Sequence, residues 1–376
     1  MIRIGEQEIE DLLWGAAVLG AGGGGDPYLG LLMAKKAIGK YGPISLIHPL
    51  EVPDDALVIS TAIIGADTIL LEKIPRGNEA YASVKKLEEY LGKKAYGVMT
   101  TECGGFNSTV PFVVAAQAGL PVIDADAMGR AFPEQQMTSF HIYGLKGSPM
   151  VMTNEKSDCC VLETKDNYFL EKLCRSISVE YGGVAYFAGY SLTGKELKEA
   201  SIPNTLSFSL RLGRAIREAR ENKQDVIEAI IETTSNSVYG RAIKLFSGKI
   251  TDIKRNVVNG FMQGKTRVQG FQSFSGQTLE VCFQNENLIA YIDGKVVATV
   301  PDIIMFFDEV TGIPLPTTKL RYGYRVVVLG IPTPEIMRTE AALNIWGPKC
   351  FGYELDYVPL EILHSAYYNT APEFAS

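Results

Sequence analysis

Apolar and polar positions follow a helical period at the start of the chain. Between Glu6 and Leu19 the apolar side chains Ile9, Leu12, Leu13, Ala16 and Ala17 share one face, which predicts an amphipathic helix. The glycine run 22–25 and Asp26-Pro27 interrupt that pattern, and a second helix is predicted over Tyr28–Tyr41. The continuous β-branched run Ala56–Ile64 has the length of a strand. Glu79–Leu91 then reads as a helix with a charged outer face, and Lys94–Thr100 as another strand. A helix capped by Asn107 or Ser108 runs to Gly119 and precedes the short strand Pro121–Asp124. Strands apolar on both faces and joined by helices predict an α/β domain with a mainly parallel sheet flanked by helices.

After about residue 165 the pattern changes. Helical spacing over Asn167–Tyr181, Thr205–Asn222 and Gln224–Thr234 gives way to short β-branched and aromatic runs such as Thr278–Phe283, Leu288–Ile292 and Tyr324–Leu329. Turn signals at Asn259-Gly260, Asp293-Gly294 and Thr311-Gly312 punctuate them, which predicts an antiparallel β-rich section. The expected organisation is an α/β domain over 1–165 and an α+β domain, helical and then β-rich, over 166–376.

Composition narrows the function classes. With 36 Lys+Arg against 43 Asp+Glu, a net charge of −7 argues against a generic binder of nucleic acid. Six cysteines without recurring spacing, together with an acidic start (Glu6, Glu8, Glu10, Asp11), predict a cytoplasmic protein with no secretory signal. The apolar stretches are too short, or too broken by glycine, to cross a membrane. Apolar β-edges and the arginines 211, 214, 217 and 220 at three-residue intervals predict self-association into a homo-oligomer.

Three segments of the first domain carry candidate chemistry. Thr100-Thr101-Glu102-Cys103-Gly104-Gly105 follows a strand and precedes a helix, the place where ligands sit in open α/β sheets. Cys103 there is a candidate nucleophile or soft metal ligand, and equally an inert core thiol. In the second segment, Asp124 and Asp126 point the same way at a strand end, so a cation, a proton or Arg130 must relieve their repulsion. Zinc held by Cys103, Asp124 and Asp126 is one solution; helix capping by an aspartate is the structural alternative. Glu134, just after Pro133, is the candidate general base or acid, with Arg130 steadying an anionic intermediate. The third segment, Gly22, Gly23, Gly24 and Gly25 with Asp26, is read with Glu102 as the substrate contact, because successive backbone N–H groups form an anion nest. Its context fits neither a phosphate loop nor a dinucleotide fingerprint. His141 is a reserve ligand or proton shuttle; His48 and His364 have no supporting constellation.

Taken together, GAGGGGDPY (20–28), TTECGG (100–105), DADAMGRAFPEQQM (124–137), ATVPDII (298–304), LRYG (320–323) and GPKCFGY (347–353) resemble the S-methyl thiohydantoin desulfurase-like family, which is associated with hydantoinase/oxoprolinase-type proteins. The likeness covers nearly the whole chain and implies action on a five-membered cyclic ureide or thiohydantoin. The residues and the resemblance together predict a metal-assisted hydrolase: a zinc-bound hydroxide attacks the ring carbon bearing sulfur or oxygen. The alternatives are a metal-free Cys103 nucleophile and a non-catalytic metabolite-binding subunit with a hydantoinase-type partner.

Overall fold

The computed structural model describes residues 1–65, 67–70, 72–73, 75–258 and 261–370. One compact unit takes in Met1–Arg214 and includes Phe261; the other begins at Ala215.

The strands of the first unit are β1 (Ile2–Ile4), β2 (Ile44–Ile47), β3 (Leu57–Gly65), β4 (Gly97–Thr100), β5 (Val122–Ile123), β6 (Ala125–Asp126), β7 (Met150–Thr153), β8 (Cys159–Leu162), β9 (Val184–Thr193) and β10 (Ile202–Pro203). Eight of them form one sheet in the order β1-β2-β5-β4-β3-β9-β7-β8. The central strands β2, β5, β4 and β3 are parallel, because helices Glu79–Leu91 and Val110–Ala118 supply the crossovers that parallel neighbours require. β1 pairs antiparallel at one end, and β9, β7 and β8 do so at the other. The α/β class follows, with parallel pairing confined to the middle. Strand β3 is buried along nearly its whole length, as its unbroken apolar run requires.

Val184–Thr193 lies outside the segments that apolar spacing marks as strands, yet it pairs with both β3 and β7. Gly189 and a β-bulge at Tyr190 break the alternation by which a strand is recognised. The two-residue ladder β6–β10 is also unmarked by pattern. It brings the start of the helix Thr205–Glu221 alongside Asp124 and Asp126, where Asn204 N donates to Asp124 O at 2.8 Å.

Strands β11 (Ile243–Val258), β12 (Phe261–Gly270), β13 (Thr278–Gln284), β14 (Glu286–Ile292), β15 (Lys295–Thr299), β16 (Ile303–Asp308), β17 (Pro314–Leu315) and β18 (Arg325–Ile331) form a second sheet, which belongs to the second unit apart from Phe261 at the start of β12. Its order is β15-β14-β13-β12-β11-β18-β16-β17, and its recorded pairings are antiparallel. Phe246, Ile250, Val281, Phe306 and Val328 belong to its core. Asp302, fully buried, accepts from Thr333 N, Tyr357 Oη and Leu360 N, so one carboxylate ties three segments together. No described helix is long and apolar enough to cross a membrane.

Candidate functional site

The three glycine- and acid-bearing segments do meet, and they meet as packed backbone. Gly24 (φ +80°) lies so close to Gly104 that a Cβ on it would stand 2.6 Å from the Gly104 carbonyl carbon. A Cβ on Gly105 would stand 2.1 Å from Gly25 O. Glycine is needed here for close approach of two segments of backbone. Asn107 N donates to Gly24 O (3.1 Å), Ala131 N to Leu19 O (3.3 Å), Ala127 N to Thr101 O (3.0 Å) and Phe132 N to Glu102 Oε2 (3.1 Å), so the segments are stitched to one another. Residues 21–27, 100–110 and 122–133 are all buried at this junction. Asp26 caps the helix Pro27–Tyr41, its Oδ1 accepting from Tyr28 N (2.9 Å) and Leu29 N (3.2 Å).

Cys103 and Asp126 are neighbours in this junction. Cys103 N donates to Asp126 Oδ2 at 2.7 Å, and Gly129 N reaches both Asp126 oxygens at 3.0 and 3.1 Å. Burial pushes the Asp126 carboxyl up to about 7 against the opposing pull of these N–H groups. Asp124 Oδ1 accepts from Ser207 N at 2.9 Å and so caps the distant helix Thr205–Glu221; burial raises its carboxyl too. Ser209 Oγ lies 3.1 Å from Cys103 Sγ and donates its own proton to Thr205 O, which leaves it an acceptor for the Cys103 S–H. Burial first, then the charge of Asp126, hold that thiol far above its ordinary range. Cys103 here is a neutral thiol donor.

These contacts bear on the expected zinc ligands. Both Asp126 oxygens are engaged by backbone N–H, one Asp124 oxygen closes a helix end, and the thiol is protonated, so a metal ion would have to break each of these interactions. Among the described residues no group of three or more His, Cys, Asp or Glu side chains is arranged to hold a metal. Arg130 is fully buried, its Nε donating to Ala131 O (3.1 Å) and its guanidinium 4.9 Å from the Phe132 ring centroid. Glu102 accepts from Asn107 Nδ2 at 2.5 Å and from Phe132 N, which fixes the turn after β4.

Glu134 sits elsewhere. It lines a cavity of about 450 Å³ together with Gln136, Tyr168, Glu171, Lys172, Arg175, Ser176 and Phe261. Residues 168, 171, 172, 175 and 176 form one face of the helix Asn167–Glu180, started by the Asp166 cap. Glu134 accepts a hydrogen bond from Gln136 Nε2. Gln136 is 5% exposed, and its Oε1 accepts no hydrogen bond from the described residues. Glu171 Oε1 pairs with Arg175 at 2.7 Å and its Oε2 accepts from Gln135 N at 3.0 Å. Arg175 also donates to Pro133 O (2.8 Å) and lies 4.5 Å from the Phe261 ring centroid. Burial raises the Glu171 carboxyl, Arg175 and the Gln135 N–H oppose it, and the charge of Glu134 adds to the rise. His141 stands behind this wall, edge-on to Tyr168 at 5.2 Å and 3.1 Å from Asn167 Nδ2; burial lowers its imidazole.

Gln136 closes the DADAMGRAFPEQQM run without standing out as a candidate, and Glu171 and Arg175 carry no motif. The Glu171/Arg175 pair at i,i+4 reads in sequence as an ordinary surface ion pair on a helix. Only their place next to the GRAFPE segment sets them apart.

The S-Me-THD-like N-terminal domain matches residues 7–164 and the S-Me-THD-like C-terminal domain matches residues 165–360. An X-ray structure of a protein from Chromobacterium violaceum is similar in fold, with a TM-score of 0.80 and 22% identity over 96% of this chain and 100% of the other. No curated protein matches the chain.

Proposed function

Since the chain belongs to the S-Me-THD-like family, with both of its domains matched in order, we propose that it is an enzyme acting on a thiohydantoin or related five-membered cyclic ureide, taken up in the cavity at Glu134. The observation that carries this reading is Gln136, a residue of the cavity wall whose buried side-chain oxygen accepts no hydrogen bond from the described residues and comes within reach of a ligand by a turn of the amide. A ring of this class presents N–H groups beside C=O or C=S, and an N–H is the partner that oxygen lacks. The volume lies within the range of about 300–1,000 Å³ usual for small-molecule sites. Tyr168 and Phe261 offer flat surfaces for a planar ring, and Arg175 supplies positive charge.

Hydrolysis then needs a base. Glu134, oriented by Gln136 Nε2, takes a proton from a water whose oxygen bonds to the ring carbon bearing sulfur. The negative charge that develops on the former thione is stabilised by Arg175. Collapse of the adduct breaks the C–S bond; sulfur leaves as hydrogen sulfide with both water protons, one relayed by Glu134, and the water oxygen remains as the ring carbonyl. An S-methyl ring loses methanethiol in the same way, with one proton on sulfur and one on the ring nitrogen. No step runs through a metal ion, because the side chains expected to bind one are engaged in holding the junction together.

The test is turnover by the purified protein of 2-thiohydantoin, its S-methyl derivative and hydantoin, followed by release of sulfide or methanethiol and by mass of the ring product. Loss of sulfur from at least one ring is expected. Stability of every ring overturns the proposal.

A further inference from the structure

One tyrosine is bent out of line in the middle of the first sheet. In β9, Gly189 pairs with Ser60 and Ser191 with Ile59, so Tyr190 is an extra residue without a partner on β3. Its φ is +43°, a left-handed conformation that a bulky residue rarely adopts, and its N–H donates to Gly147 O (3.1 Å) outside the ladder. The extra residue changes which face the side chain meets. Ala185 and Phe187 pack with Ala62 and Ile64, whereas Tyr186 packs edge-on against Phe106. Simple alternation puts Tyr190 on the face of Tyr186. The bulge moves it to the other face, where it packs with Val58, Leu192 and Phe140.

On that face its hydroxyl has a target: Tyr190 Oη donates to Gln135 O at 2.7 Å and accepts from Thr138 Oγ1 at 3.2 Å. Gln135 N donates to Glu171 at 3.0 Å, so both peptide groups of Gln135 are held, one from each side. The residues flanking Gln135 are Glu134 and Gln136, which line the cavity.

We propose that Tyr190 is a positioning residue for that cavity: the bulge delivers its hydroxyl to the Gln135 carbonyl, and this contact sets the direction in which Glu134 and Gln136 face. The proposal rests on the cavity being the reaction site. A tyrosine that only filled the core needs no left-handed backbone, since a strand in register packs an aromatic ring without one.

The test is Tyr190→Phe, which keeps the ring and removes the hydroxyl. Two readouts are taken: kcat and KM on the sulfur-bearing rings, and the titration of the Glu171 carboxyl by carbon-13 NMR of the protein without ligand. The kcat/KM is expected to fall about tenfold, the scale of a misoriented acid–base group. The Glu171 titration is expected to move by about half a pH unit as the Gln135 N–H shifts. Thr138→Val, of nearly the same shape, is expected to move both in the same direction by less, and it decides the matter if Tyr190→Phe does not fold. Unchanged titration in the folded variants overturns the positioning role. If the wild-type protein turns over no ring, the functional reading fails, yet the titration still decides what Tyr190 does.

Discussion

The buried junction of Cys103 and Asp126 and the open cavity at Glu134 lie on one stretch of chain and treat their polar atoms in opposite ways. At the junction, Asp126, Asp124 and Glu102 accept from backbone or amide N–H groups, and the Cys103 thiol donates to a serine. Such groups hold a fold together, because a buried acceptor or donor left unpaired costs about 1–3 kcal/mol. At the cavity, one amide oxygen is left without a donor among the described residues, and two carboxylates stand close enough for one to raise the other. Neighbouring carboxyls in different surroundings are a means of dividing acid and base roles. Acidic side chains in both places look alike in sequence; those of the junction are closed in by backbone and amide N–H groups, whereas Glu134 and Glu171 line a cavity.

That contrast predicts which substitutions cost activity and which cost stability. The largest effect is expected for Glu134→Gln, with kcat on a sulfur-bearing ring lower by about 10²–10⁴-fold and an unchanged melting temperature, read by steady-state kinetics beside calorimetry. Asp126→Ala is expected to lower the unfolding free energy by about 3 kcal/mol, since backbone N–H groups of Cys103 and Gly129 lose their acceptor; urea titration measures it, and activity should fall only with the folded fraction. Gly24→Ala meets both the positive φ and the 2.6 Å approach to Gly104, and a loss of about 2 kcal/mol in the same titration is expected. Cys103→Ser should leave kcat within about twofold, because the hydroxyl keeps the donor role toward Ser209; loss of turnover in a folded Cys103→Ser protein would return the chemistry to the thiol.

The smallest effect concerns pH. Glu171 has its carboxyl raised in the folded protein, so its contribution to stability is fullest below the unfolded-state value of about 4.3 and declines as pH rises through the folded-state value. Glu171→Gln should therefore flatten the dependence of stability on pH over that window, as read by urea unfolding at a series of pH values. A slope identical to wild type would mean that Arg175 and the Gln135 N–H fully offset its burial.

Much of this was legible in the chain, and what was not has physical causes. The glycine run, TTECGG and the DADAMGRAFPE segment each stand out in the sequence as candidate chemistry, and in the structure they pack against one another as buried backbone. Their spacing did not show that they close on one another, because closure depends on β10 and the helix Thr205–Glu221, whose Ser207 and Ser209 complete the bonds of Asp124 and Cys103. Three of the four parallel strands, β3, β4 and β5, and most helices were marked by periodicity, with ends shifted by a few residues: Lys94–Thr100 shortens to Gly97–Thr100, and the helix expected from Asn107 starts with a turn of 3₁₀ over Asn107–Thr109; β2 carries no such mark. Strand β9 was hidden because the bulge at Tyr190 resets its alternation. Glu134 was visible as a candidate, whereas its companions Gln136, Glu171 and Arg175 become meaningful only once the helix Asn167–Glu180 is laid against it.

Where the ring binds is decided by a crystal structure of the protein soaked with hydantoin, the sulfur-free ring. The ring is expected in the cavity, with an N–H within hydrogen-bond distance of Gln136 Oε1 and a ring face against Tyr168 or Phe261. A ring bound beside Cys103 and Asp126, with the junction opened to admit it, would place the reaction at the thiol and not at Glu134.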